Sequence, residues 1–195
     1  MNFKFTIFIL FIVLVANSQE TETYKRFANQ VKPVETKTYT EEYKNGNIKK
    51  TKTLTTYNFN GENFVFYSGT YIEYSKKGNK KFERIHNMFG SPLTIKWYDK
   101  KGRIIAFSKT IDLDTNAKST KEFLSSNHII SITSIEEKYI INQPKNKSIL
   151  RKKGKYVNGF KSGVWEIYKN GEVEKIKKYK VLNKFENLSR DRNKK

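Results

Sequence analysis

Gly154-Lys155-Tyr156-Val157-Asn158-Gly159-Phe160-Lys161-Ser162-Gly163-Val164-Trp165-Glu166-Ile167-Tyr168-Lys169-Asn170-Gly171 is the stretch on which the reading of the fold depends. Gly154, Gly159, Gly163 and Gly171 punctuate short strand-like runs, while Tyr156, Trp165 and Tyr168 supply large surfaces for neighbouring hairpins to cover. Asn-Gly between such runs is a strong hairpin signal, because both central residues of a type I′ turn need positive φ. A hairpin closed on Asn170-Gly171 sets Lys169 against Glu172, Tyr168 against Val173 and Glu166 against Lys175. The unit extends over residues 154–180.

The same pattern of aromatic, short polar stretch, Gly and strand-like run recurs upstream. It is found at Tyr43-Lys44-Asn45-Gly46, Tyr74-Ser75-Lys76-Lys77-Gly78 and Tyr98-Asp99-Lys100-Lys101-Gly102, with a fifth turn expected at Asn60-Gly61. The Lys-Lys-Gly versions suit a three-residue loop with Gly in the left-handed position beside a bulge. Around Lys100 to Gly102 the expected register pairs Asp99 with Arg103, Tyr98 with Ile104, Trp97 with Ile105, Lys96 with Ala106 and Ile95 with Phe107. Around the first turn it pairs Tyr43 with Ile48 and Glu41 with Lys50. Residues 112–127 lose the alternation, with a short helix expected near 120–125. Residues 128–133 and 138–141 read as strands. A Lys- and Asn-rich connector is expected over 143–153, and a polar basic tail over 184–195.

Residues 154–171 resemble the MORN-repeat variant of bacterial proteins, whose unit reads approximately Gly-x-Tyr-x-Asn-Gly-x-x-x-Gly-x-Trp-x-x-Tyr-x-x-Gly. The segments around Tyr43, Tyr74 and Tyr98 are similar to degenerate copies that keep the aromatic and the turn Gly. The family includes YwqK-like antitoxin proteins and many exported members. The resemblance implies an all-β architecture of antiparallel hairpins meandering into an elongated sheet. It also implies protein binding, with an antitoxin- or immunity-like role, and not catalysis.

Composition narrows the chemistry. The 195 residues contain no Cys, which excludes disulfide scaffolds, thiolate metal sites and Cys nucleophiles. At 14% aromatic residues, the chain has enough ring surface to build a core. His86 and His128 have no second His or Cys at local ligand spacing. Asp112-Leu113-Asp114-Thr115-Asn116 begins like a calcium loop, then places Ala117 where Gly is needed and Phe123 where Glu is needed; it reads as a capped turn. The adjacent pairs Glu41-Glu42 and Glu136-Glu137 would point to opposite faces of a strand, which is wrong for a carboxylate dyad. No phosphate-loop, dinucleotide or nucleophile-elbow motif occurs. No cofactor, metal or catalytic residue is expected.

Charge points to partners. The formal net charge is +20, and residues 145–184 carry 13 Lys and Arg against 3 Glu. Residues 1–18 read as a secretory signal: Lys4, a twelve-residue apolar run from Phe5 to Ala16, and a small-x-small site at Ala16-Asn17-Ser18. That run is too short to span a membrane as a helix. The mature chain, with its repeat domain over 19–183, is expected in the periplasm or outside the cell, where nucleic acid is an improbable partner. A protein partner is the leading expectation; an anionic envelope polysaccharide or lipid surface is the alternative. Trp97 and Trp165 are expected as equivalent core residues facing Ile105 and Ile176. The candidate binding face is then the opposite one, carrying Lys155, Lys161, Tyr168 and Lys175.

Overall fold

The computed structural model describes residues 20–125, 128–142 and 147–186. The expected signal segment 1–18 and residues 187–195 of the expected tail lie outside the described residues. After α1 (Glu22–Ala28) come β1 (Pro33–Glu42), β2 (Ile48–Phe59), β3 (Glu62–Tyr74), β4 (Lys80–His86), β5 (Pro92–Tyr98) and β6 (Ile104–Thr115). Then follow α2 (Thr120–Leu124), β7 (Ile130–Asn142), β8 (Lys147–Val157), β9 (Phe160–Lys169) and β10 (Glu172–Lys178). The ten strands form one antiparallel sheet in sequence order, each strand paired with the next. This is the all-β meander that the hairpin pattern implied.

Turn chemistry explains the topology. Asn60-Gly61, Asn158-Gly159 and Asn170-Gly171 all have positive φ at both residues, the type I′ geometry that matches strand twist. Gly46 differs: its φ is +80° but Asn45 stays out of that region. Tyr43 N donates to Asn47 O at 2.8 Å, so this is a three-residue loop, and Tyr43 faces Asn47, not the expected Ile48. The loops at Gly78 and Gly102 close in the same way, and so does an unanticipated one at Gly90.

Bulges displace the expected register one step from the turns. Tyr98 faces Ile104, as expected, but then Trp97 faces Ala106, Lys96 faces Phe107 and Ile95 faces Ser108. In the last hairpin Lys169 with Glu172 and Tyr168 with Val173 hold. Beyond them Glu166 faces Ile176, Trp165 faces Lys177 and Lys175 faces Ile167. Glu41 does face Lys50, with a 2.8 Å ion pair.

Other boundaries move as well. Asp112 to Thr115 belong to β6 and are not a capped turn; β7 is one continuous strand; β8 takes up most of the expected connector. Gly154 and Gly163 lie inside strands instead of ending them. The expected tail starts too early, because Lys184 is anchored: its Nζ lies 3.0 Å from Asp112 and 3.1 Å from Asp114, and its carbonyl accepts from Asn158 Nδ2 at 2.6 Å.

The main core sits at one end of the sheet. β5 begins only at Pro92, so beyond Lys109 the edge of β6 has no β5 partner. Residues 20–21 take that edge: Glu20 bridges Leu113, and Thr21 N donates to Leu113 O at 2.9 Å. Thr21 then caps α1, accepting from Tyr24 N at 3.2 Å, while Asp114 accepts from its hydroxyl at 2.7 Å. Tyr24 and Phe27, one turn apart, are buried against Phe123 of α2, Phe89, Tyr57 and Leu113. Away from this end the sheet is a single layer, with most side chains half-buried and β10 exposed throughout.

Candidate functional site

Register fixes which side chains share a face, because directly opposed residues in an antiparallel pair project together. One row crosses all ten strands: Glu41, Lys50, Glu73, Phe82, Trp97, Ala106, Lys138, Lys152, Ile167 and Lys175. The adjacent row on the same face holds Tyr71, Arg84, Ile95, Ser108, Glu136, Gly154, Trp165 and Lys177. The opposite face carries Ile72, Glu83, Lys96, Phe107, Glu137, Lys153, Glu166 and Ile176. It is laced with ion pairs, Lys96 with Glu83 and Lys153 with Glu137, each at 3.0 Å.

The four expected binding residues do not form one face. Lys175 lies in the row of Trp97, and Lys161 projects on the same side, its Nζ 4.8 Å from the Trp165 ring and 5.1 Å from that of Tyr179. Lys155 and Tyr168 belong to the other side, in step with Lys153 and Glu166. Alternation along β9 and across the Asn158-Gly159 turn sets Lys161 opposite to Lys155 and Tyr168, and the one-residue bulge at Glu174 moves Lys175 off the face of Tyr168. Lys161 therefore covers Trp165 instead of opposing it.

The two tryptophans are not equivalent. Trp165 is 2% exposed, seated on Gly154, met edge-on by Tyr156 at 5.1 Å and Tyr179 at 6.2 Å, and its Nε1 donates to Lys155 O at 3.1 Å. Trp97 is only half-buried. Beside it opens a groove of about 480 Å³, lined by Tyr67, Tyr71, Glu73, Lys81, Phe82, Arg84, His86 and Trp97. A second hollow of about 380 Å³ continues past Trp97 along Ala106, Glu136 and Lys138. Trp97 is the ridge between them.

The groove's rings form a chain. Trp97 meets Phe82 at 5.7 Å, Phe82 meets Tyr71 at 6.1 Å, Tyr71 meets Tyr67 at 6.2 Å, and Tyr67 stacks on His86 at 5.7 Å. The first three contacts are edge-to-face, the arrangement that the ring quadrupole favours. Tyr67 is nonetheless 45% exposed. Arg84 lies over Phe82 at 5.0 Å and makes no ion pair among the described residues. Arg84 Nε and His86 Nδ1 are buried with no hydrogen-bond partner there. Burial, reinforced by the charge of Arg84, pushes the His86 imidazole down to about 4, so it is neutral near pH 7. Burial and the hydrogen bond to Glu73 at 2.7 Å push the Tyr71 hydroxyl up to about 12.

A sequence signal for this groove exists. Ser68-Gly69-Thr70-Tyr71-Ile72-Glu73-Tyr74 matches Ser162-Gly163-Val164-Trp165-Glu166-Ile167-Tyr168 in its Ser-Gly-x-aromatic-x-x-Tyr spacing. Both serines are buried, and both glycines sit at bulges with positive φ, +56° and +66°. Tyr71 thus occupies the place of Trp165.

Among the described residues no helix is long and apolar enough to cross a membrane. Comparison with models of known protein families, with curated proteins and with solved structures finds no match to this chain.

Proposed function

We propose that this chain is an exported, non-catalytic repeat protein that binds a protein partner on the Trp97 face of its sheet. The observation that carries the reading is the groove around Trp97: five rings, and an Arg84 with no ion pair among the described residues, gathered on an open face. Aromatic and Arg side chains in a pocket are what protein-binding hot spots are made of. A single-layer sheet leaves such a face available. The resemblance of residues 154–171 to MORN-variant repeats adds an antitoxin- or immunity-like role. Export rests on the signal-like segment 1–18. Cleavage after Ser18 would leave the anchorage of Glu20 and Thr21 on β6 intact.

The test is selection of a displayed peptide library on the whole protein, with binding followed by tryptophan emission. Trp165 is buried and gives a constant background, so a change reports Trp97. Peptides that bind without altering this emission would place recognition elsewhere.

A further inference from the structure

The meander sends every second turn to the end of the sheet away from the helices. Three of these tips, residues 44–47, 76–79 and 100–103, carry six Lys and Arg and no acid. Some lysines elsewhere are paired, Lys37 with Glu35, Lys121 with Glu62 and Lys138 with Glu136. At the tips Lys44, Lys76, Lys77, Lys100 and Lys101 make no ion pair among the described residues.

The tips are fastened to one another. Asn45 and Asn47 Nδ2 donate to Lys76 O at 3.3 and 2.8 Å, and Asn79 Nδ2 donates to Lys100 O at 3.0 Å. Tyr43 Oη donates to Tyr74 O at 2.8 Å. Lysine-bearing backbones are therefore held in a line, with tips roughly 10 Å apart because each is two strands from the next. Between the second and third tips lies a cleft of about 600 Å³ whose walls include Lys76, Lys80, Tyr98 and Lys100.

We propose that this rim binds a linear polyanion, a chain carrying carboxylate or phosphate groups at intervals. A line of unpaired ammonium groups on a braced backbone matches repeated charge along a polymer and raises its local concentration. The tips hold no large apolar side chain that could enter a bilayer, which favours the polymer over a lipid surface. This surface adjoins the Trp97 groove at Lys81, but Lys76 and Lys100 do not line that groove, so substitutions there let the two readings fail independently.

The experiment uses the full mature chain with three probes: polygalacturonate for carboxylate, polyphosphate for phosphate, and phosphatidylglycerol vesicles. Lys76→Glu/Lys100→Glu is compared with Lys32→Glu/Lys118→Glu, an exposed pair at the other end with the same change in net charge. The rim pair is expected to lower affinity for at least one polymer by about tenfold or more, the control pair by less than about twofold, with melting temperatures unchanged. The polymer that binds more tightly identifies the anionic group. Equal losses in the two pairs, no polymer binding, or binding to vesicles alone would overturn the proposal.

Discussion

The indole of Trp165 occupies the space that a side chain on Gly154 would need: a Cβ there would lie 2.2 Å from Trp165 Cδ2 and 2.4 Å from Cγ. Gly154 lies in mid-strand with φ outside the left-handed region, so the requirement is steric closeness, not turn geometry. Gly154→Ala is therefore expected to destabilise the fold by about 1–3 kcal/mol through overpacking. In a Trp165→Ala background the same change should cost little, because the clashing ring is gone. Denaturant titration of the double-mutant cycle measures the coupling, and additive costs would contradict the contact.

The last turn makes a different demand. Asn170 and Gly171 have φ of +55° and +91°, and nothing lies within 4 Å of where a Gly171 Cβ would be. Gly171→Val is expected to cost about 1–3 kcal/mol from backbone strain alone. Gly171→Asn should recover much of that, since Asn tolerates this region. Thermal melts of the two variants check the order.

His86 makes stability depend on pH. Its folded pKa is about 4 against an unfolded value of 6.5, so the unfolded chain binds more protons between these limits. Its contribution is full above pH 6.5 and is lost as pH falls toward 4, by at most about 3 kcal/mol. Glu83 acts at lower pH. Burial alone would raise its carboxyl, but hydrogen bonds from Lys80 and Lys96 outweigh that and hold it below 4.5. Its stabilisation fades only as pH drops below 4.5, through its folded value. Stability curves of the wild type and His86→Gln should diverge between pH 6.5 and 4; parallel curves would show that the imidazole is not shielded.

Much of this fold was legible because turn signals are local. Asn170-Gly171, Asn60-Gly61 and the Lys-Lys-Gly loops mark their own positions, and consecutive hairpins leave a meander as the simplest arrangement. Faces were legible only in part. Alternation alone puts Lys161 and Tyr168, seven residues apart, on opposite surfaces. The bulge at Glu174 depends on strand twist and on what the neighbouring strand presents, and it takes Lys175 off the face of Tyr168. The helix α1 offers only Tyr24, Phe27 and Ala28 as apolar positions, and its stability comes from Phe89, Leu113 and Phe123, distant in sequence. The Trp97 groove depends on an absence of cover, which no residue pattern states, although the repeated Ser-Gly-x-aromatic spacing places Tyr71.

The two tryptophans separate packing from recognition. Trp165→Ala should cost about 3–5 kcal/mol, because a buried indole is removed. Trp97→Ala removes a half-buried ring and should cost appreciably less, leaving a folded chain with unchanged strand content by circular dichroism.

The central claim is that Trp97 and its groove take the partner. The most direct measurement is calorimetric titration of a library-selected peptide into the wild type and into Trp97→Ala, with melting temperatures recorded alongside. The account predicts a folded variant whose affinity falls by about tenfold or more, as for a hot-spot residue. A folded Trp97→Ala that binds the peptide as tightly as the wild type would contradict it.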